Sequence, residues 1–448
     1  MMNTPIVDYV KDYVNQKTLR VHMPGHKGKN KLGFEGYDIT EIDGADVLYS
    51  GSGIIKQSQE NATQLFESAK SVYSTEGSSL CIRAMLYLTK MYCKVGGAAP
   101  LIFAGRNAHK TFVTALALLD IDVKWLMPEN SASLICCNIT AEYLEKALLQ
   151  AEVKPAAVYV TSPDYLGNTL DIPAIAEVCR RFGVLLLVDN AHGAYLKFLP
   201  QSCHPIDIGA DMCCDSAHKT LPSITGGAYL HIAKGAPEFL SQFADSAMSL
   251  FASTSPSYLI LQSLDMVNKY IADGYRERLA LFVTEVDALK KTLKEKGYQL
   301  YGNEPLKVTI APKSYGYTGE QLGEILANKG IICEFCDPDF VVLMLTPETE
   351  HEGIEKIKNV LFSVEERKPV ISFPPKLAKR IKRLSVKEAV FSVCEETRVE
   401  DALGRVLATA TVGCPPAIPI VICGEEIDRS AIETFKYYGI EKCYTVKK

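Results

Sequence analysis

The chain has 448 residues, 48 Lys+Arg against 53 Asp+Glu, and 14 cysteines. That length exceeds one ordinary hydrophobic core, so a large domain with smaller companions is expected. The slightly acidic balance lacks the basic footprint of a nucleic-acid binder.

The start, residues 1–16, has no apolar run suited to a signal peptide, and no later segment approaches the ~20 apolar residues of a membrane span, which points to the cytoplasm. Cysteines there stay reduced, so a disulfide framework is not expected. His22 and His26 are separated by Pro24 and Gly25, which break the helix that a two-histidine metal site needs. No metal site is expected.

From about residue 55 to 235, amphipathic helical stretches alternate with short apolar runs. Leu101 to Ala104, Ala157 to Thr161, Val184 to Val188, Asp211 to Cys214 and Ala228 to Ile232 read as buried strands. Ser79 to Cys93, Lys110 to Leu119, Ala141 to Ala151 and Ile172 to Arg181 read as helices. The alternation predicts an α/β domain with a mostly parallel sheet covered on both faces. Ligands of such sheets bind at the carboxyl ends of the strands.

After Pro256 one long helical segment is predicted, Ser257 to about Lys296. Strand-like runs at Leu306 to Ile310 and Phe340 to Leu345, with helices at Gly319 to Asn328 and His351 to Val360, suggest a small α+β domain. Cys333 and Cys336 have C-x-x-C spacing without a second pair, in a run that alternates like a strand, and read as buried structural thiols. The basic run from Lys376 to Arg383 reads as a solvated helix face. The division expected is an N-terminal arm (1–54), a large domain (55–256), a small α+β domain (257–367) and a C-terminal domain (368–448).

Chemistry gathers at the strand ends. The strand before Asp189 runs into Asp189-Asn190-Ala191-His192-Gly193. A buried carboxylate needs a partner, because its desolvation costs several kcal/mol, and a protonated pyridine nitrogen is one such partner. Thirty residues on, another strand-like run leads into Asp215-Ser216-Ala217-His218-Lys219-Thr220. Alone, Asp189 is equally a helix-cap acid and Lys219 a surface lysine; at successive strand ends the two are much more specific.

Upstream, Thr75-Glu76-Gly77-Ser78-Ser79 precedes a helix. Backbone N–H groups, hydroxyls and the helix dipole there suit a phosphate, although the same residues serve as a helix cap. His109, after another strand-like run, can lie flat on an aromatic ring or be a structural histidine.

These residues resemble the Orn/Lys/Arg decarboxylases, the bacterial-type basic amino-acid decarboxylases of the aspartate-aminotransferase fold. The resemblance runs along almost the whole chain. It rests on His22-Met23-Pro24-Gly25-His26-Lys27-Gly28, Asp38-Ile39-Thr40-Glu41, Gly77-Ser78-Ser79, Arg106-Asn107-Ala108-His109-Lys110, Thr161-Ser162-Pro163, Asp189 to Gly193, Ser216 to Pro222 and Ser253 to Tyr258. Gly404-Arg405, Pro415 to Pro419 and Gly424-Glu425 match the family's closing domain.

The resemblance implies a pyridoxal 5′-phosphate (PLP) enzyme of fold type I that decarboxylates arginine, lysine or ornithine. Lys219 would carry PLP as a Schiff base, Asp189 would pair with the pyridinium and His109 would stack on the ring. Ser78, Ser79, Ser216 and His218 would hold the phosphate, with Thr254 or Ser255 reaching in from a second subunit. His192 would lie beside the 3′-oxygen, Lys219 or His218 would deliver a proton to Cα, and Glu425 and His26 would serve the substrate.

The short form of the family is implied, a homodimer or higher homo-oligomer with shared sites and neither nucleic acid nor membrane as partner. An aminotransferase or β-eliminating lyase of the same fold, and a non-catalytic PLP-binding homologue, are the alternatives. Glu425 has a second reading as a cap of the helix that begins near Asp428.

Four departures from the family pattern stand out. Glu76 replaces the usual Asn before the phosphate turn, and Asn190 replaces the second acid of Asp-Glu-Ala-His. Ala417 and Cys423 stand where the family has Gly and Pro. Arg83, beyond the phosphate turn, reads as an exposed helix arginine or an added anion contact.

Overall fold

The computed structural model describes residues 2–447 apart from 98–99, 128–132, 134, 376–378, 410–412 and 415–417. Ala417 and the Pro415 to Ala417 part of the closing motif therefore lie outside the described residues, as do positions 376–378 of the basic run. The chain forms two compact units, Met1–Gly97 with Leu185–Arg278, and Ala98–Val184 with Leu279–Lys448.

In the first unit four strands lie side by side. Lys70–Ser74 pairs antiparallel with Ala228–Ile232, which pairs antiparallel with Met212–Asp215, which runs parallel to Leu185–Asp189. All five residues of Leu185–Asp189 are buried, as a near-continuous apolar run predicts. The helix Gly77–Gly96 follows Lys70–Ser74 directly. The N-terminal helix Pro5–Asn15 is anchored by Asp265, whose Oδ2 accepts the N–H groups of Ile6 and Val7, both at 3.0 Å. These are orphan donors of a helix start, satisfied from elsewhere in the unit.

The expected single helix from Ser257 is two helices, Tyr258–Ala272 and Tyr275–Lys296. Gly274 sits between them at φ +81°, a left-handed conformation that ends a helix and that glycine adopts without penalty. Ser257 caps the first helix by accepting the Ile260 N–H.

In the second unit Ala157–Thr161, Leu101–Gly105 and Asp122–Leu126 form a parallel set, with Leu101–Gly105 in the middle. A second, antiparallel sheet is ordered Phe335–Cys336, Val341–Met344, Lys307–Ala311, Gln299–Tyr301. Near the C-terminus, Cys394–Arg398 pairs with Lys442–Val446, and Val399, Leu407, Ile427 and Phe435 form a local core.

Two local expectations are corrected here. Cys333 and Cys336 are half-buried, and only Phe335–Cys336 is strand. Ile332 is 82 % exposed, so the alternation does not mark a buried strand. The two thiols share a hydrogen bond that pushes Cys333 up and Cys336 down. The described part of the basic run, 379–383, is extended rather than helical. Lys382 bridges to Glu425, Glu426 N–H donates to Ile381 O, and buried Arg380 donates to Ile420 O at 3.1 Å. Backbone partners supplied by residues 424–426 outweigh the charge pattern.

Among the described residues no helix is long and apolar enough to cross a membrane.

Candidate active site

In the first unit the strand Leu185–Asp189 delivers Asp189, 3 % exposed, at its carboxyl end. One oxygen of Asp189 accepts the Ala191 N–H at 3.2 Å and the Cys214 thiol at 3.5 Å. Burial pushes the Cys214 thiol well up, so it remains protonated and serves as a donor. Asp189 lies opposite Cys214 in the parallel register. Five residues beyond Cys214 comes Lys219, in the short helical turn Ala217–Thr220.

That turn and the Asp189 loop meet: Lys219 Nζ stands 3.1 Å from His192 Nε2. His192 is buried, while Lys219 and His218 are partly exposed. His218 Nδ1 lies 2.9 Å from Gly227 O. A carbonyl can only accept, so the ring proton is held on Nδ1.

The phosphate turn joins the same group. Gly77 has φ +68°, and its N–H donates to Gly226 O at 2.7 Å. A Cβ at Gly77 would meet no atom of the described residues within 4 Å, which leaves space before the first helical turn. Ser216 Oγ donates to Ser78 Oγ at 2.9 Å, bringing the two hydroxyl segments together. Ser79, half-buried, lies in the first turn of Gly77–Gly96. Hydroxyls converging on a helix N-terminus are suited to an anion.

The Glu76 departure has a structural partner, since its Oε1 accepts the Ser253 N–H at 2.6 Å. Thr254 and Ser255 follow and are both exposed. Arg83 is half-buried, not exposed, and its Nε has no hydrogen-bond partner among the described residues. His26 Nδ1 accepts the Gly28 N–H at 3.0 Å, which leaves Nε2 as the donor to Asp38 Oδ2 at 3.1 Å. The motifs around His22 to Gly28 and Asp38 to Glu41 are thereby joined.

His109 and Glu425 belong to the second unit. His109 caps the helix Lys110–Leu119, its Nδ1 accepting the Thr111 N–H at 3.2 Å. Arg106, 2 % exposed, donates to Pro419 O at 2.7 Å and to Ile420 O at 2.9 Å. Its guanidinium lies 3.7 Å from Glu425, whose Oε2 also accepts the Ile422 N–H at 2.8 Å. The helix Arg429–Tyr437 is capped by Asp428, not by Glu425. Sequence reasoning gave Arg106 no role of its own, and a buried arginine more than 300 residues from its partner leaves no local pattern to find.

A cavity of about 440 Å³ in the same unit is lined by Cys137, Thr161, Asp164, Tyr301 and Asn303, among others. Asp164 is committed to its own turn, accepting Leu166 and Asn168 N–H groups at 2.9 Å each.

PLP needs an amine, an acid for its ring nitrogen and an anion cradle for its phosphate. Lys219, Asp189 and the open Gly77 turn with Ser78 and Ser216 fit these needs within one unit.

Residues 4–303 match the family described as Orn/Lys/Arg decarboxylase, major domain. An arginine decarboxylase of Bacillus subtilis is 28% identical over 470 residues, covering 96% of this chain and 92% of that protein. An arginine decarboxylase of Halalkalibacterium halodurans is 28% identical over 465 residues, covering 95% and 91%. The crystal structure of the Francisella novicida lysine decarboxylase superposes with a TM-score of 0.79 at 16% identity, covering 99% of this chain and 81% of that one. That likeness establishes the fold, PLP-dependent fold type I. With the family match running from residue 4 to residue 303, this chain belongs to the Orn/Lys/Arg decarboxylases and is a PLP-dependent decarboxylase.

Proposed function

We propose that the enzyme decarboxylates a basic amino acid, arginine, lysine or ornithine, to the corresponding amine and CO₂. The observation that carries this reading is the 3.1 Å approach of Lys219 Nζ to His192 Nε2 beside the strand end that bears Asp189. Bound PLP supplies the sink for the electron pair left when CO₂ departs.

The protein's own residues do the rest. Lys219 would offer the amine that holds the cofactor, and Asp189 would keep its ring nitrogen protonated. Ser78, Ser79, Ser216 and His218 would hold the phosphate, joined by Thr254 or Ser255 of a second subunit. By the family resemblance His109 would stack on the ring and His192 would lie beside its edge. Lys219 or His218 returns a proton to Cα.

Glu425 and His26 serve the substrate. A basic side chain calls for a carboxylate at its far end, and Glu425 is the acid of the closing motif. Decarboxylation rather than another outcome would depend on how these residues orient the substrate carboxylate.

In this reading the large domain 55–256 binds PLP, and the chain also has an N-terminal arm (1–54), a small α+β domain (257–367) and a C-terminal domain (368–448). The working form is a homodimer or higher homo-oligomer in the cytoplasm, with neither nucleic acid nor membrane as partner.

The test is an end-point product analysis of PLP-loaded protein with each basic amino acid. An amine formed in step with CO₂ is expected; a keto acid instead would mark an aminotransferase, and no product would mark a non-catalytic homologue.

A further inference from the structure

Beneath the Asp189 and Lys219 strand ends lies a fully buried group of three ionisable side chains, His204, Asp215 and His231, each 0 % exposed. Asp215 ends the strand Met212–Asp215, four residues before Lys219. Its Oδ2 takes His204 Nε2 at 2.8 Å and lies 3.3 Å from His231 Nε2. Its Oδ1 accepts Asn190 Nδ2 at 2.7 Å. Asn190 is the residue after Asp189, and its own N–H donates to Cys214 O at 3.0 Å. One carboxylate thus grips the loop carrying Asp189 and His192 while standing at the root of the loop carrying Lys219.

The cluster is braced from behind. His231 Nδ1 lies 2.7 Å from Ser71 Oγ, which lies 2.7 Å from Ser68 Oγ. Phe66 packs on His231 with ring centroids 4.3 Å apart and edge-on to His204 at 5.7 Å. A carboxylate buried this completely needs polar partners on its oxygens. The two imidazoles facing its Oδ2 hold the Asp215 carboxyl well below the usual carboxylate range despite its burial, and burial pushes His231 down. The nearby Cys81, Cys213 and Tyr229 are pushed up by burial and stay neutral. Lys197, the cation felt by His231, is paired with Glu67 and Asp207. The second acid missing at position 190 therefore has a counterpart at 215, hydrogen-bonded to the residue that replaced it.

We propose that Asp215, flanked by His204 and His231 and tied to Asn190, is a positioning group that locks the Asp189 and Lys219 loops in their relative placement for the PLP reaction. This rests on the functional reading above. The three ligand atoms lie within 4.8 Å of one another, so a divalent cation is the competing occupant; the 2.8 Å His204–Asp215 contact is a hydrogen-bond distance and favours the proton.

The experiment compares wild type, Asp215→Asn and Asn190→Ala, each reconstituted with PLP. Asn190→Ala cuts the tie without changing charge and decides the matter by itself if Asp215→Asn fails to fold. Borohydride trapping followed by peptide mapping should label Lys219 in every folded variant. Labelling of another lysine refutes the functional reading and, with it, the object of the cluster.

With Lys219 labelled, kcat per bound PLP should fall about tenfold or more while KM changes less than about twofold, as expected of misplacement by a fraction of an ångström. The visible absorbance band of the Asp215→Asn holoenzyme should titrate at a midpoint moved by about half a pH unit or more. Lower melting temperature with unchanged kcat per bound PLP and an unmoved midpoint overturns the inference, since a purely structural brace would give that pattern. One tightly held equivalent of metal in the dialysed wild-type protein also overturns it.

Discussion

Lys219 Nζ and His192 Nε2 stand 3.1 Å apart, one on each of two loops that leave neighbouring parallel strands. Lys219→Ala should abolish covalent attachment of PLP. His192→Asn should keep the attachment and lower turnover by about ten- to a hundredfold, the scale of losing a positioned proton-transfer or hydrogen-bonding group. Mass spectrometry after borohydride reduction checks the first, and steady-state kinetics the second.

Asp189 is buried and bonded to the Ala191 N–H and the Cys214 thiol. In Asp189→Asn these donors still find an oxygen, so the fold should survive, but an amide cannot hold a pyridinium charge. We expect PLP retention with turnover reduced by about a hundredfold or more. Near-normal turnover in the folded variant would remove Asp189 from its proposed role.

Glu76 reaches the Ser253 N–H with a charged oxygen, steadying the segment that bears Thr254 and Ser255. Both residues are exposed, so solvent screening leaves this bond worth ~1 kcal/mol or less, and Glu76→Ala should weaken PLP retention by about two- to fivefold if that segment completes a phosphate site. Equilibrium dialysis of PLP from the variant measures it. Unchanged retention would detach Thr254 and Ser255 from the cofactor.

Glu425 neutralises buried Arg106 and caps the Ile422 N–H. Glu425→Gln should lower stability by ~1 to 3 kcal/mol, because the guanidinium loses its counter-charge. If Glu425 also receives the substrate's basic end, KM should rise about tenfold with kcat less affected. A lower melting temperature with unaltered KM would confine Glu425 to its structural partners.

Asp337 is 4 % exposed, and burial pushes its carboxyl up to about 7 against the pull of the Asp339 and Phe340 N–H donors. Its folded pKa lies above the unfolded one, so the unfolded chain loses its proton first as pH rises. Stability from this group is full below the unfolded pKa and is lost as pH climbs to about 7. Asp337→Asn, which mimics the protonated acid, should therefore gain ~1 to 2 kcal/mol relative to wild type between pH 5.5 and pH 8. Denaturant titrations at the two pH values check the sign.

Local pattern alone was enough for several elements. Ala157–Thr161, Ala228–Ile232, Lys110–Leu119 and Gly319–Asn328 have the bounds read from the amino-acid order, because apolar runs and caps act over a few residues. The strands Lys70–Ser74 and Asp122–Leu126 escaped. The second alternates between exposed and half-buried positions at a sheet edge, and the first is short and mostly polar, so neither forms an apolar run.

The same division holds for the site. The strand-end positions of Asp189, Lys219 and the Gly77 turn were legible because each lies within a few residues of a strand end, where chain direction and burial are set locally. What the tertiary structure alone decided is the pairing between them: Ser216 with Ser78, Asn190 with Asp215, Glu76 with Ser253 and Arg106 with Glu425. These partners are 25 to more than 300 positions apart. A short-range hydrogen bond between such residues exists only once the sheet register and the loop ends have been placed, and no periodicity in the chain encodes it.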